Sequence, residues 1–382
     1  MKKVIMYTSG ILFQRRQTGG VKRFIELTRF FAHEYPSTIL CSQDDESNIR
    51  KLAINNFVKM KGANRNFKWI PPEAALLFVN KNVIRQLRKI NYERLVVFDV
   101  PTAIGIVLLG LKNIVLMIRK DMISCELLNK QNCWYKLSFK LLYQWFCELI
   151  CLLRVKRIIC QCAYDKNALM QRHPLFAHVI QKKTKILINN VNPTWVVNDL
   201  YGKIDPSISI PAKSSRFRIC YIGGFDRFIK GYDIILEVAS ELLKERDDLE
   251  FIFVGGGRAL NEYRQKYSSD NILFTGHIDN PIAVLNISDL LVVPSRVDSC
   301  PNTVLEALNN EIPIIGSRVG GIPEILVYED SLFDLNKTSL KNRILKLVDN
   351  KSALETLKKH QLERKEALTF DWAQKMATLV LE

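Results

Sequence analysis

Short runs of apolar residues alternate with longer amphipathic segments along this chain. Short apolar runs predict buried strands, and apolar residues spaced three and four apart predict helices. We predict strands near residues 3–8, 37–42, 56–60, 95–99, 114–118, 157–161, 185–189, 217–222, 250–254, 271–274, 290–293, 312–315 and 331–334. We predict helices near residues 20–34, 73–89, 103–110, 134–153, 164–172, 231–246, 258–267, 280–287, 302–309 and 322–327, and a helical tail over Leu340–Glu382. This alternation is typical of α/β folds in which helices cover parallel sheets.

The length and apolar content of the chain favour two domains. Its 382 residues, 48% of them hydrophobic, can bury two cores of ordinary size. The stretch Asn190–Ser215 is polar, contains three prolines and lacks helical periodicity, which is typical of a junction. We therefore predict a first domain over residues 1–192, a second over residues 193–366 and a C-terminal helix over residues 367–382.

Charge is unevenly distributed between the two predicted domains. Residues 1–192 contain 32 Lys and Arg against 12 Asp and Glu, a net charge of +20, whereas the remainder has 23 against 27, a net charge of −4. A strongly basic domain attracts an anionic partner, and the candidates are nucleic acid, an acidic membrane face or a phosphate-bearing acceptor. No recognised nucleic-acid-binding module appears, so nucleic acid is not the expected partner.

The cysteines and the chain start favour a cytoplasmic protein. An odd number of cysteines, nine, lies scattered along the chain, which indicates reduced thiols. Cys160 and Cys162 have no second pair at metal-binding spacing, so we predict no metal site. The opening MKKVIMYTSG leads directly into a strand-like run, so no signal peptide is predicted. Lys112 interrupts the longest apolar region, so no membrane span is expected.

Two carboxylates, Asp298 and Glu306, flank a predicted helix start. The apolar run Leu290–Val293 predicts a buried strand, and a loop follows it. Pro301 suits a first helical position, and the apolar spacing beyond it predicts a short helix that begins near Asn302.

This helix start has the chemistry to hold a phosphorylated sugar. The backbone amides of Asn302, Thr303 and Val304 can bind a phosphate, because a helix start carries unpaired N–H groups. Glu306 can accept hydrogen bonds from a ribose diol, and Asp298 can reach hydroxyls of the attached sugar. The alternative is a surface loop with solvated acids, since short acidic spacings are common.

This region resembles the Glu-x7-Glu signature of the retaining glycosyltransferases of sequence family four, with Asp298 in place of the first Glu. The resemblance covers Phe217 to about Val327 and includes YIGGFDRFIKGYDIILE, FIFVGGG, NILFTG, DLLVVPS and GGIPEI in the family's order. In the amino half it is limited to a Gly-Gly loop at Gly19 and Gly20 and to the segment ILINNV. The family has the GT-B fold of two facing Rossmann-like domains.

The resemblance implies that the donor nucleotide lies at the carboxyl ends of the strands of the second domain, as open α/β sheets generally bind ligands. Gly223 and Gly224 then let the backbone approach the diphosphate, and Arg227 and Lys230 neutralise it. The family's Arg, six residues before the Lys, is replaced by Gly224. Either Arg227 takes over its role or the diphosphate has one cation fewer; we favour the first, because arginine suits bidentate phosphate contacts.

The same resemblance implies further donor contacts. These are the Gly-Gly loop of the first domain, Gly255 near the nucleotide, and His277 and Ile278 beside the base. Many relatives have a His facing the donor sugar where this chain has Arg119, Lys120 and Asp121, so we regard Lys120 and Asp121 as possible sugar contacts. The final helix crosses back to the first domain in such proteins.

The implied reaction is transfer of a hexosyl-type sugar from a nucleoside-diphosphate sugar to a hydroxyl of a glycan or lipid-linked acceptor, with retention. No cofactor or metal is expected, and bacterial polysaccharide, lipopolysaccharide or glycolipid assembly is the expected setting. A nucleotide-sugar epimerase and a nucleic-acid-binding protein are the alternatives. Peripheral binding to an anionic membrane face is a further expectation, through basic and aromatic side chains on two helices: Lys81, Arg85, Arg88, Lys89, Trp134, Tyr135, Lys136, Phe139 and Lys140.

Overall fold

A seven-stranded sheet forms the centre of the first of two units in the computed structural model. The structure describes residues 3–13, 19–52, 54–62, 72–128, 134–191, 214–226, 228–278 and 280–382, without the side chains of residues 51, 72–78 and 134–138. The first unit comprises Met1–Ile123, Asn132–Ile188 and Asp371–Glu382, and the second comprises Ser124–Gln131 and Asn189–Phe370. Most of the predicted junction, residues 192–213, lies outside the described residues.

All strands of the first sheet are parallel, in the order β3-β2-β1-β4-β5-β6-β7. They are β1 Val4–Tyr7, β2 Ile39–Ser42, β3 Asn56–Lys59, β4 Arg94–Phe98, β5 Ile114–Ile118, β6 Arg157–Cys160 and β7 Thr184–Ile186. The helices of this part of the chain are α1 Gly19–Glu34, α2 Glu46–Ile49, α3 Pro72–Leu87, α4 Val100–Leu108, α5 Met122–Leu127, α6 Trp134–Arg154, α7 Ala163–Arg172 and α8 Ala177–Lys183. Every residue of β4 and β5 is buried, as expected of strands covered on both faces.

The second unit contains a six-stranded parallel sheet in the order β10-β9-β8-β11-β12-β13. Its strands are β8 Phe217–Ile222, β9 Leu249–Val254, β10 Ile272–Gly276, β11 Leu290–Val293, β12 Ile314–Ser317 and β13 Leu332–Phe333. Its helices are α9 Tyr232–Glu245, α10 Leu260–Tyr267, α11 Ile282–Leu285, α12 Asn302–Asn309, α13 Ile322–Ile325, α14 Lys337–Asp349 and α15 Lys351–Leu368. Aromatic side chains fill the core, where Phe253 stacks on Phe274 with ring centroids 5.3 Å apart. The predicted α/β architecture with parallel sheets is confirmed.

The last helix, α16 Trp372–Leu381, returns to the first unit. Trp372 is fully buried, and the guanidinium carbon of Arg23 lies 4.9 Å from the centre of its ring. Arg94 Nε donates a 2.9 Å hydrogen bond to the Val380 carbonyl, which fixes the end of α16 beside β4. The predicted return of the final helix to the first domain is confirmed, with residues up to Phe370 in the second unit.

Some elements differ from the sequence prediction. Helices α2, α5 and α8, which have four, six and seven residues, were not predicted from the sequence. Gly19 and Gly20 open helix α1 and are not part of a preceding loop, which corrects the prediction of a Gly-Gly loop. No helix in the described ranges is long and apolar enough to cross a membrane.

Candidate functional site

Three glycine-containing loops meet at the carboxyl ends of β8, β9 and β10. The Gly223 N–H donates to the Val254 carbonyl at 2.9 Å, and the Gly255 N–H donates to the Gly276 carbonyl at 2.8 Å. Gly255 has a φ of +147°, and a Cβ there would lie 1.9 Å from the Gly223 carbonyl oxygen. This glycine is therefore required by the packing of one loop on the next, a reason that the sequence analysis did not identify. Contacts of Gly223, Gly224 and Gly255 with a nucleotide stay predictions.

Lys230 ends a single helical turn, Phe228–Lys230, beyond the β8 loop. Its Nζ lies 2.5 Å from Oδ2 of Asp298, with 27% of the lysine side chain and 13% of the carboxylate side chain exposed. Gly231 follows with a φ of +71°, and a Cβ there would lie 1.8 Å from the Pro294 carbonyl oxygen. The glycine of the Lys-Gly pair thus lets the lysine loop approach the loop after β11. The structure brings together two residues that the sequence analysis placed in one site.

Arg296, which the sequence analysis missed, joins these two loops. Its Nη1 and Nη2 each donate at 2.7 Å to the carboxylate of Asp233. Its guanidinium also lies 3.8 Å from the centre of the Phe228 ring, and its N–H donates to the Ile229 carbonyl at 2.7 Å. A bidentate pair combined with ring stacking fixes a loop more rigidly than a single surface contact. Arg296 is therefore a positioning residue for Lys230.

The backbone of Asp298 is fixed by the loop after β12. The Gly321 N–H donates to the Asp298 carbonyl at 2.9 Å. Gly320 has a φ of +62°, and a Cβ there would lie 2.1 Å from that same carbonyl oxygen. In addition, Ser317 Oγ donates to the Ser295 carbonyl at 2.6 Å. The GGIPEI motif therefore orients the Asp298 loop through its first two glycines.

Helix α12 begins at Asn302, as predicted, with Pro301 as its N-cap residue and not at the first helical position. The Val304 N–H donates to the Pro301 carbonyl at 3.1 Å, which weakens the prediction that this amide binds a phosphate. The predictions for Asn302 and Thr303 stay open. Glu306, one turn into the helix, is 9% exposed.

Two predicted positions near the nucleotide base differ in exposure. His277 is exposed. A Cβ added to Gly256 would lie 3.4 Å from the Cβ of His277. Ile278 is 4% exposed, so its side chain belongs to the core and only its backbone is available to a ligand. Arg227, predicted to meet the diphosphate, lies outside the described residues.

In the first unit, Arg119 lies over the start of α1. A Cβ on Gly20 would lie 1.2 Å from Nη1 of Arg119, so any larger residue would displace this guanidinium. Arg119 Nε donates to Asp99 Oδ2 at 3.0 Å, and its N–H donates to Asp99 Oδ1 at 3.2 Å. Asp99 has a φ of +65°, which is uncommon for a residue with a side chain. No role for Arg119 was predicted from the sequence.

The two predicted sugar contacts after β5 are placed differently. Lys120 is exposed, whereas Asp121 is 2% exposed and its Oδ2 accepts a 2.9 Å hydrogen bond from Arg172 Nη1. Arg172 also donates to Glu148 at 2.9 Å and 3.1 Å. Burial opposes the charge of Arg172, but the hydrogen bonds and charges of Glu148 and Asp121 outweigh it and raise the pKa of the guanidinium. Asp121 thus serves an internal ion-pair network, and this placement argues against a sugar contact.

In the part of the chain that the structure describes, no group of three or more His, Cys, Asp or Glu side chains is placed to hold a metal ion. Cys160 and Cys162 are both buried.

Comparison with known proteins gives a family match over the second unit. Residues 216–350 match the family model described as "Glycosyl transferases group 1". A curated relative, N-acetyl-alpha-D-glucosaminyl L-malate synthase of Bacillus anthracis, is 36% identical over 98 residues, which are 26% of this chain and 24% of the relative. The alignment thus spans about a quarter of the relative's length.

Solved structures match nearly the whole chain. Anabaena Alr3699/HepE in complex with UDP-glucose has a TM-score of 0.69 at 13% identity, with 99% of both chains covered. WaaG, a glycosyltransferase involved in lipopolysaccharide biosynthesis, has a TM-score of 0.69 at 13% identity, with 100% of this chain and 99% of WaaG covered. At such identity the likeness concerns the fold. This chain therefore has the GT-B fold, and its residues 216–350 match the family model of the group 1 glycosyltransferases.

Proposed function

We propose that this protein is a retaining glycosyltransferase that moves a hexosyl-type sugar from a nucleoside-diphosphate sugar to a hydroxyl acceptor. The observation that carries the proposal is the contact between Lys230 and Asp298 at the carboxyl end of the second sheet. A cation suited to a diphosphate and a carboxylate suited to sugar hydroxyls lie side by side there. Glu306 follows Asp298 at the family's Glu-x7-Glu spacing and lies one turn into α12.

Donor binding changes the partners of this pair. The diphosphate is the stronger anion, so Lys230 contacts it and releases Asp298 to accept hydrogen bonds from the sugar. Glu306 accepts from the ribose hydroxyls, and the amides of Asn302 and Thr303 face the phosphate. The complex of HepE with UDP-glucose supports a donor of this chemical class. Arg227 is proposed as the second cation.

In the proposed reaction, the acceptor oxygen forms a bond to the anomeric carbon on the face from which the diphosphate leaves. The bond between that carbon and the phosphate oxygen breaks, and the acceptor proton passes to the leaving phosphate oxygen. Lys230 and the fixed amides stabilise the negative charge that develops on the diphosphate, which lowers the barrier. Asp298 and Glu306 bind the donor and do not form an acid/base pair as in a glycosidase. We propose that no metal is required.

For the acceptor, we propose a glycan or a lipid-linked sugar of a bacterial surface polysaccharide or glycolipid. The likeness in fold to WaaG, a glycosyltransferase involved in lipopolysaccharide biosynthesis, supports this choice of class. The basic first domain, with its net charge of +20 over residues 1–192, suits an acceptor that carries phosphate.

A two-step experiment tests the proposal. Nucleotide sugars are first screened by thermal shift, because a ligand that binds the folded state raises its stability. The donor found is then incubated with candidate acceptors, with and without a chelator, and the anomeric configuration of the product is determined by NMR. Retention and insensitivity to the chelator are expected. Inversion at the anomeric carbon, or an epimer formed without acceptor, would overturn the proposal.

The variant Glu306→Gln sharpens this experiment. It keeps the size of the side chain and removes the charge that accepts from the ribose, so donor affinity falls by about tenfold or more. Glu311→Gln is the matched control, since Glu311 lies just beyond the end of α12 with its side chain 63% exposed. An equal loss of donor affinity in Glu306→Gln and Glu311→Gln would contradict a donor contact at Glu306.

A further inference from the structure

Helix α6 carries four exposed apolar side chains on one face. Phe139 is 76% exposed, Leu142 54%, Tyr143 38% and Phe146 50%. Residues spaced by three, four and seven share one face of a helix, so these side chains form one row, which we name the α6 stripe. Large apolar side chains gathered on one face mark an interaction surface, whereas single exposed ones are ordinary.

The opposite face of α6 makes the contacts that the fold needs. Cys147, Cys151 and Leu152 are buried, and they lie in the same core as Ile104 and Val107 of α4. The α6 stripe is therefore not required for the packing of the first unit, and its substitution does not open the core.

Exposed cations accompany the α6 stripe. Lys140 is exposed on α6. Further exposed basic residues lie on and just after α3, which packs on α4 as α6 does. The exposed basic residues on and just after α3 are Lys81, Arg85, Arg88 and Lys89. Apolar rings beside lysine and arginine are typical of a helix that lies in the interface of an anionic bilayer, with its apolar face in the boundary between head groups and acyl chains.

We propose that the first unit binds the surface of an anionic phospholipid bilayer through the α6 stripe and the cations of α3 and α6. A second copy of this chain is the less suitable partner, because two basic faces would repel each other. The α6 stripe exposes on the order of 400 Å² of apolar surface, about half of the ~800 Å² that each partner of a stable interface buries. Membrane binding by these residues is independent of the transfer reaction, since α3 and α6 both belong to the first unit.

Flotation of the full chain with phospholipid vesicles tests this proposal. We expect the wild type to float with vesicles of phosphatidylglycerol and phosphatidylcholine at low salt and to be released as the salt concentration rises. It does not float with vesicles of phosphatidylcholine alone. The double variant Phe139→Ser/Phe146→Ser lowers partitioning into the anionic vesicles by about tenfold or more, because two rings no longer enter the interface.

Matched controls separate this effect from general changes in the surface. Leu362→Ser removes an exposed apolar side chain, 46% exposed, from α15 of the second unit and leaves flotation unchanged. Arg85→Glu/Lys89→Glu lowers flotation strongly, since two attractive charges become repulsive. Lys359→Glu, an exposed lysine on α15, has a smaller effect.

The double variant Phe139→Ser/Phe146→Ser is called the stripe variant. Its circular dichroism shows whether it is folded. Its transfer activity with a water-soluble acceptor shows whether the proposed reaction is intact, so that a loss of flotation is not confused with a loss of catalysis. A wild type that stays unbound at low salt, or a stripe variant that floats like the wild type, overturns the proposal. Sedimentation that shows a dimer of the wild type and a monomer of the stripe variant also overturns it, and assigns the α6 stripe to a second copy of the chain.

Discussion

Lys230 Nζ lies 2.5 Å from Asp298 Oδ2, so these two side chains neutralise each other. The lysine is the residue proposed to contact the diphosphate of the donor, and the carboxylate is the residue proposed to contact its sugar. The two residues are 68 positions apart in the sequence, on the loops after β8 and β11. Because β8 and β11 are neighbours in the parallel sheet, their carboxyl ends bring these loops together. In the proposed function, a donor exchanges this internal ion pair for contacts of its own.

The first prediction concerns Asp298→Asn. Without its carboxylate partner, Lys230 is available to a phosphate, so the affinity for a nucleoside diphosphate without sugar holds or rises. The additional affinity contributed by the sugar falls, because a hydrogen bond to a charged acceptor is worth about 1.5–3 kcal/mol. Calorimetric titration with the diphosphate and with the nucleotide sugar gives both values. Asp226→Asn, an exposed acid on the β8 loop, is the control and leaves both unchanged. A loss of affinity for the diphosphate itself in Asp298→Asn would contradict the exchange.

A second prediction concerns Arg296. Arg296→Met removes the bidentate contact with Asp233 and the stacking on Phe228, so the Lys230 loop is held less firmly. We expect the free energy of unfolding to fall by about 1–3 kcal/mol and kcat/KM to fall by about tenfold or more. Arg296→Lys retains the charge without the fork and recovers only part of the activity. Chemical unfolding and steady-state kinetics measure the two effects. The control Arg318→Met breaks an exposed ion pair with Glu329 and is expected to keep its activity. An equal loss of kcat/KM in Arg318→Met and Arg296→Met would contradict a positioning role for Arg296.

Glycine substitutions give a third prediction. Gly320 and Gly276 both have positive φ, +62° and +74°, so a change to Ala strains each backbone by about 1–2 kcal/mol. A Cβ at Gly320 would also lie 2.1 Å from the Asp298 carbonyl oxygen, whereas a Cβ at Gly276 meets nothing within 4 Å. Gly320→Ala therefore displaces the Asp298 loop and destabilises the fold more than Gly276→Ala. Denaturant unfolding of the two variants decides this, and equal destabilisation speaks against the close contact.

Buried thiols give a fourth prediction. Burial raises the pKa of Cys41 and of Cys220 to about 12. The pKa of each thiol is higher in the folded protein than in the unfolded chain. At a pH below the pKa of the unfolded chain, both states are therefore protonated and the thiols contribute fully to the free energy of unfolding. This contribution decreases as the pH rises above about 8.5, where thiols of the unfolded chain ionise. A thiol reagent at pH 8 should label the half-buried Cys125 first and reach Cys41 and Cys220 only after unfolding. Rapid labelling of Cys41 in the native protein would refute this.

Much of the fold was predictable because its signals are local. The predicted strand at 217–222 and the predicted helix at 302–309 coincide with β8 and α12, since a compact apolar run and a helix start after proline are visible within a few residues. The helices missed, such as α8 with seven residues, are too short to show helical periodicity.

The site was predictable only in part, since its contacts depend on topology. Motifs led to the prediction of Lys230, Asp298 and Glu306, whereas Arg296 and its partner Asp233 are 63 positions apart and become neighbours only when the strands are ordered. The sequence also gave no sign that Asp121 is buried against Arg172, 51 positions away. The positive φ of Asp99 and the contact of Gly20 with Arg119 depend on packing in the same way.

The central claim, that Lys230 holds the diphosphate of a sugar donor, is tested most directly by the dissociation constant of a nucleotide sugar for the wild type and for Lys230→Met. Lys244→Met, an exposed lysine on α9, is the control. Loss of a charge-assisted contact of about 1.5–3 kcal/mol predicts that Lys230→Met binds the donor roughly tenfold to a hundredfold more weakly, while Lys244→Met binds it as the wild type does. Equal affinity of the wild type and Lys230→Met for the donor would contradict the account.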